Sequence, residues 1–254
     1  MRPNAVKRKL AAGETVLGLF LGSDSPDLVE IFGYSGVDFV MIDAEHGSID
    51  PHHAENLVRA AESSGITPLA RVTQSTPQTI LRFLDAGAQG VMIPWCQTAA
   101  EARAAVQAVK YYPEGRRGLA GTRASKFGLQ IPLSDYVPLA NAETMVVAQI
   151  ETAATLDALP EMLQVPGIDV FFIGPTDLSQ SMGFPGRTHD PAVQEVIERT
   201  IAQILAAGKH AGIQTRDAED LKRNRERGVR FLTAASYGLF ARAVREFVAS
   251  AREP

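Results

Sequence analysis

The chain has 254 residues, 45% of them apolar, and 25 Lys and Arg stand against 29 Asp and Glu for a formal charge of -4. That length can bury one large core and suits an α/β barrel as well as two smaller domains. The charge forms no long basic block, which disfavours nucleic acid or an anionic membrane as partner and points to a small polar ligand, while the lone Cys96 cannot form an internal disulfide and reads as an inert packed thiol in a reducing compartment.

The N-terminal stretch "MRPNAVKRKLAAGETVLGLFLG" starts basic and turns apolar, superficially like a signal peptide. Gly13 and Glu14 interrupt the apolar run and no small-residue cleavage site follows, so a helix and then a strand are expected. No stretch approaches the ~20 apolar residues of a transmembrane helix, and a cytoplasmic protein is expected. Short β-branched runs then alternate with stretches of helical period: "TVLGLFL" with "DLVEIFGYSG", "VDFVMID" with "HAENLVRAAESSG", "TPLARV" with "QTILRFLDAG", and "GVMIPW" with "TAAEARAAVQAVKYY". Proline after a capping residue marks helix starts in "SPDLVE", "DPHHAE" and "TPQTIL", and Gly36, Gly65 and Gly87 stand near helix ends. The region "PEGRRGLAGTRASKFGLQIPLSDYVPLANAET" shows no clear period and reads as a functional loop or an interface. Four more strands follow in "MVVAQIE", "IDVFFIG", "HAGIQ" and "RFLTAAS". About eight βα units, with no repeat or linker, predict a single domain over residues 1–254 folded as a (β/α)₈ TIM barrel.

Strand alternation sorts the side chains. With Val40 and Ile42 toward the helices, Phe39, Met41 and Asp43 face inward. By the same count Arg71 points in from "PLARV", and Val147, Gln149 and Glu151 point in from "MVVAQIE". Asp177 joins them from the loop after the sixth strand, its approach shaped by Gly174 and Pro175. Polar groups thus gather at the C-terminal ends of the strands, where barrel active sites lie. Each also has a structural reading: Asp43 as a loop cap, Arg71 as its ion-pair partner, Glu151 as a helix cap.

Glu151 and Asp177 are hard oxygen ligands, too few for a closed cage but suited to Mg²⁺ or Mn²⁺ completed by substrate and water. Arg71 offers a fork for a carboxylate. A 2-oxo acid such as pyruvate satisfies both, and the metal would act as a Lewis acid toward an enolate. His46 could move the proton of the hydroxyl on the carbon being cleaved, with Asp43 and Glu45 orienting it.

The motifs "IDAEHG", "RV" at 71 and 72, "LDAGAQGVMIP", "YYPEGRRG", "QIET" and "FFIGPTDLSQSMG", in this order from about Val16 to Gly212, resemble the metal-dependent class II pyruvate aldolases of the HpcH/HpaI type. The resemblance implies a barrel of the phosphoenolpyruvate/pyruvate-binding type, often with a C-terminal helix exchanged between subunits, assembled as a hexameric trimer of dimers. It implies metal ligands at Glu151 and Asp177 for Mg²⁺, Mn²⁺ or Co²⁺, carboxylate binding by Arg71, catalysis by His46 with Asp43, and substrate contacts from Gln149, Gly174, Pro175, Thr176 and Phe20. Asp85 matches an acid that in relatives reaches a neighbouring subunit's site. Three positions depart from the family. Phe20 stands where many relatives carry tryptophan, Ser236 where aspartate is usual, and Gln214 where an apolar residue often lines the aldehyde pocket.

Other readings are weighed against this one. The paired His52 and His53 point in different directions on a helix start, and Arg116, Arg117, Arg123 and Lys126 read as a solvated or intersubunit loop. "GIQTRD" and "TAASYG" make a poor phosphate cup, so phosphorylated substrates are disfavoured. A Schiff-base aldolase needs an inward lysine at a strand end, and none is predicted. An acyl-CoA lyase of the citrate lyase β type, an oxaloacetate decarboxylase and a non-catalytic 2-oxo acid binder are the remaining alternatives. The expected reaction is reversible cleavage of a 4-hydroxy-2-oxo acid to pyruvate and an aldehyde.

Overall fold

Runs rich in Val, Ile, Phe and Met, four to six residues long, favour extended backbone and form eight strands. The computed structural model describes residues 2–252, so residues 1, 253 and 254 of the domain expected over 1–254 lie outside the described residues. The strands are β1 (Val16–Leu21), β2 (Phe39–Asp43), β3 (Thr67–Arg71), β4 (Gly90–Ile93), β5 (Met145–Ile150), β6 (Val170–Ile173), β7 (His210–Gln214) and β8 (Phe231–Ala235). They pair in parallel in sequence order and close, β8 returning to β1, into the expected TIM barrel.

The period-two alternation separates two apolar layers. Phe20, Phe39, Met41, Leu69, Met92, Val147, Phe172 and Phe231 fill the barrel interior. Val40, Ile42, Ala70, Val72, Val146, Ala148 and Ile150 pack outward with the helices. Gly18 of β1 makes room for this filling: a Cβ there would fall 2.1 Å from Phe39 Cε2. The Phe39 ring in turn meets Phe231 with centroids 4.5 Å apart.

Helix α1 (Ala5–Ala11) closes the end of the barrel where the strands begin, because its Val6 and Leu10 belong to the interior cluster. Asn4 fixes it there, fully buried, with its amide donating to the carbonyls of Gln89 and Glu143 at 3.1 and 3.0 Å. The opposite end stays open. Around the barrel run α2 (Pro26–Tyr34), α3 (Pro51–Ser64) and α4 (Pro77–Ala86), whose starts follow the proline pattern, and α5 (Ala99–Val109), which opens on a capping box of Thr98 and Glu101. Asp50 caps α3 through the N–H groups of His52 and His53, and Thr76 caps α4 through that of Thr79.

Three elements differ from the sequence expectation. The stretch before β5 is not all loop: it holds a 3₁₀ segment (Arg123–Gly128) and α6 (Leu133–Glu143). That helix contains Pro138 and buries only Tyr136, Ala140 and Asn141, so its apolar stripe is too thin to show a period. The fourth strand stops at Ile93, because Pro94 cannot donate to the ladder and Trp95 adopts a left-handed φ of 53°. Finally, α7 (Ala153–Met162) is followed across β6 by α8 (Pro175–Ser181), so Asp177 lies in the first turn of a helix rather than in a loop. The chain then adds α9 (Pro191–Ala206), α10 (Ala218–Glu226) and α11 (Ser236–Ser250).

Gly18→Ala should test the interior packing. Forcing a methyl against the Phe39 ring should lower stability by about 1–3 kcal/mol, the usual penalty of overpacking, read as a reduced urea midpoint at constant slope. An unchanged midpoint would mean that the ring has room to move aside.

Candidate active site

Parallel register puts Asp43 and Arg71, the last residues of β2 and β3, side by side. Both are 7% exposed. Arg71 Nε donates to Asp43 Oδ1 at 2.9 Å and Nη2 to Oδ2 at 2.7 Å, a two-point fork. The guanidinium also stands over the Phe20 ring, 4.7 Å from its centroid. The structural reading of this pair is therefore realised, and it leaves Nη1 as the edge of Arg71 turned to other partners. Nη1 lies 3.1 Å from Glu45 Oε2.

Asp43 also shapes the loop that follows. Its Oδ1 accepts the backbone N–H groups of Glu45 and His46 at 3.1 and 3.3 Å, so it meets His46 through the main chain rather than the imidazole. Gly47 then passes so close to β1's exit that a Cβ would lie 2.2 Å from Asp43 O and 2.5 Å from Gly22 Cα. Only glycine fits. The loop presents His46 with its side chain 63% exposed and Nε2 3.9 Å from Glu45 Oε2.

Across the mouth, Glu151 follows β5 and is almost fully buried. Its Oε1 accepts the backbone N–H of Trp95 at 2.5 Å, and its Oε2 accepts the side-chain amide of Gln149. Burial pushes its pKa up to about 7; the Trp95 N–H opposes this, and the charges of Glu45 and Asp177 add to it. Gln149 Oε1 is buried with no partner. Gly174, the N-cap of α8, lets the next strand's exit approach: a Cβ there would sit 3.3 Å from Glu151 Oε2 and 3.1 Å from Gln149 Nε2. Pro175 opens α8 and Asp177 lies in its first turn, its carboxylate making no hydrogen bond or ion pair among the described residues. Pro175 and Thr176 also border a cavity of about 220 Å³ that reaches Gln214.

This arrangement suits a hard divalent cation. Two carboxylates and an amide oxygen without a partner gather where negative charge outweighs positive, and burial, with the charges of Glu45 and Asp177 behind it, makes an unpaired Glu151 carboxylate costly. Among the described residues no group of three or more His, Cys, Asp or Glu is gathered as a metal cage.

Asp85 stands apart from this cluster. It lies near the end of α4, the end that leads into β4's start, and pairs with Arg117 Nη2 at 2.7 Å. Arg123 likewise pairs with Glu62, and His53 with Asp50, which accounts for those basic and histidine motifs structurally. Cys96 is buried and its thiol is pushed up to about 12, as an inert packed group. A lysine of lowered pKa does exist: burial brings Lys110 down to about 8. Its Nζ donates to the carbonyls of Asn141 and Thr144, just ahead of β5's start, at the far end from the mouth.

Sequence reasoning missed Trp95. Its backbone reaches Glu151 and its indole Nε1 donates to Glu45 Oε1 at 3.1 Å. The chain's only tryptophan placed just beyond a strand exit is the signal that could have found it. It also missed that Glu45, whose pKa burial raises against the opposing pull of Arg71, sits between Arg71, His46 and Trp95.

A family model described as HpcH/HpaI aldolase/citrate lyase matches residues 16–239. The chain is 38% identical over 234 residues to a hydroxypyruvate/pyruvate aldolase of Roseobacter denitrificans, covering 91% of this chain and 90% of that one. It is 37% identical over 249 residues to a 4-hydroxy-2-oxo-heptane-1,7-dioate aldolase of Shigella sonnei, covering 97% and 94%. A crystal structure of an HpcH/HpaI aldolase/citrate lyase family protein from Burkholderia cenocepacia superposes with a TM-score of 0.93 at 32% identity, covering 98% of this chain and 100% of that one.

Asp43→Asn should expose the weight carried by the fork. Removing one charge of a buried pair leaves Arg71 short of a counter-ion, and a loss of about 3 kcal/mol in unfolding free energy is expected from urea titration. A loss below about 0.5 kcal/mol would mean that Glu45 alone satisfies the guanidinium.

Proposed function

Because the chain belongs to the HpcH/HpaI aldolase/citrate lyase family, we propose that the open end of its barrel works with a divalent cation held by Glu151 and Asp177. The protein is a carbon–carbon lyase, an aldolase that reversibly cleaves a 4-hydroxy-2-oxo acid to pyruvate and an aldehyde. The observation that carries the metal reading is Glu151, held by two donors and still pushed up to about 7, first by burial and then by the neighbouring charges of Glu45 and Asp177.

When bound, Mg²⁺, Mn²⁺ or Co²⁺ would supply Lewis acidity that makes negative charge on a keto oxygen tolerable. The chain's own residues do the rest. Arg71, its fork occupied by Asp43, offers Nη1 to the substrate carboxylate, and Phe20 beneath the guanidinium forms the apolar floor. Gln149, packed against Gly174 at the next strand's exit, and the Pro175 and Thr176 that follow would orient the keto acid. His46, on the exposed rim, takes the proton from the C4 hydroxyl in cleavage and returns it in the aldol direction. Asp43 serves this step by fixing the His46 main chain.

We extend the proposal to assembly as a homo-oligomer, a hexameric trimer of dimers with α11 exchanged between subunits. Two features support it. Helix α11 buries only Ser236 and exposes Tyr237, Phe240, Val244 and Phe247. Over β1 and β8, where an eighth helix would pack, lies a cavity of about 420 Å³ lined by Leu17, Leu19, Val37, Leu221 and Leu232. In such an assembly Asp85 would act in the site of a neighbouring copy. No helix of the described residues is long and apolar enough to cross a membrane.

Coupled pyruvate release from a panel of 4-hydroxy-2-oxo acids tests the function, run with EDTA and with each cation restored. EDTA should abolish turnover, the cation should restore it, and Glu151→Gln should stay inactive; full activity in EDTA would remove the cation from the reaction. Protons compete with the cation for Glu151, so apparent affinity should fall by about tenfold per pH unit below about 7, measured by calorimetry. Linkage gives a second sign: Glu151's folded pKa lies above its ordinary value, so the metal-free fold binds the extra proton and its stability declines as pH rises from about 4.5 to about 7. Added cation should reverse that decline.

The double variant Phe240→Glu with Phe247→Glu tests the assembly. Light scattering should show the wild type as a hexamer and the variant as smaller species; a monomeric wild type would overturn the assembly proposal.

A further inference from the structure

Trp95 occupies a conformation that a tryptophan adopts only under constraint. Its φ of 53° is left-handed, where glycine or asparagine is the low-energy choice. The residue is 54% exposed, so packing does not hold it there. Two hydrogen bonds do. The backbone N–H reaches Glu151 Oε1 at 2.5 Å, and the indole N–H reaches Glu45 Oε1 at 3.1 Å. A turn that served only to bring a backbone N–H to Glu151 would be satisfied by glycine. The indole must therefore be the reason for the strained residue.

Glu45 explains what the indole secures. Its second oxygen, Oε2, has no hydrogen bond of its own, although it lies 3.1 Å from Arg71 Nη1 and 3.9 Å from His46 Nε2. Without the indole its carboxylate would be free to swing between those two groups or out to solvent. With Oε1 tied, Oε2 stays at the point between Arg71 and His46.

We propose that Trp95 is a positioning residue: a strut that ties the Glu151 half of the mouth, through its main chain, to the Glu45, Arg71 and His46 half, through its indole. It acts through Glu45, which its indole N–H holds, and through Glu151, which its backbone N–H holds. The assignment rests on the aldolase reading for its kinetic part only, because the indole bond is observable without turnover.

Trp95→Phe keeps the ring and the backbone donor and deletes the indole N–H; Trp95→Gly keeps the backbone donor and suits the left-handed turn. Both should lower kcat by about tenfold and raise the substrate KM, with the Mn²⁺ dissociation constant from calorimetry within about twofold of wild type. A loss seen in Trp95→Gly but not in Trp95→Phe would assign ring bulk instead and overturn the strut. As Trp95 is the only tryptophan, ultraviolet resonance Raman reads its indole alone. The N–H-sensitive band should shift between the wild type, where the indole is bonded to a carboxylate, and Glu45→Ala, where it is bonded to water; a band unmoved by that substitution overturns the proposal. If no protein in the series releases pyruvate, the aldolase reading fails while the Raman result still decides the tether.

Discussion

The mouth of this barrel is organised by one buried ion pair, Asp43 with Arg71. Both residues end adjacent parallel strands in register, so the backbone delivers them to each other before any side chain chooses. Once joined by two hydrogen bonds and nearly cut off from water, neither can leave without stranding the other's charge. The value of the pair is positional more than energetic. Asp43 spends its remaining capacity on the main chain of Glu45 and His46, and the bare backbones of Gly22 and Gly47 let that loop fold tightly over the exit of β1. A histidine on an exposed rim is thereby held by a carboxylate its imidazole never touches.

Charge balance sets the second half of the site. Asp43, Glu45, Glu151 and Asp177 surround a single guanidinium, and Glu151, the most deeply buried of them, is the hardest to ionise, first because of burial and then because of the charges of Glu45 and Asp177. Hydrogen bonds from Trp95 and Gln149 lower the price of its ionisation without removing it. A small cation at that position would resolve a tension that the fold has built in.

Much of this was legible in the sequence because strands have a strict period. Counting by two from Val40 or Val146 put Asp43, Arg71, Gln149 and Glu151 on the inner face, and the interior and outer clusters divide along those lines. Family motifs then supplied the chemistry. What escaped was Trp95, and the contacts of Glu45 with Arg71 and Trp95. Both residues sit on turns, where no periodicity predicts direction. Asp177 was placed in a loop because α8 is only 7 residues long. Helix α6 was hidden by Pro138 and a thin apolar stripe. The occupied fork of Arg71 was foreseen only as an alternative, since spacing alone cannot say whether a guanidinium spends its donors on a neighbour or on a ligand.

Helix α1 has a kinetic meaning as well as a structural one. Its Val6 and Leu10 seal the lower end beneath an interior already filled by Phe39, Phe172 and Phe231, so solvent meets only one face of the barrel. The proposed keto acid and aldehyde would share that face, and whichever lies deeper would have to arrive first and leave last.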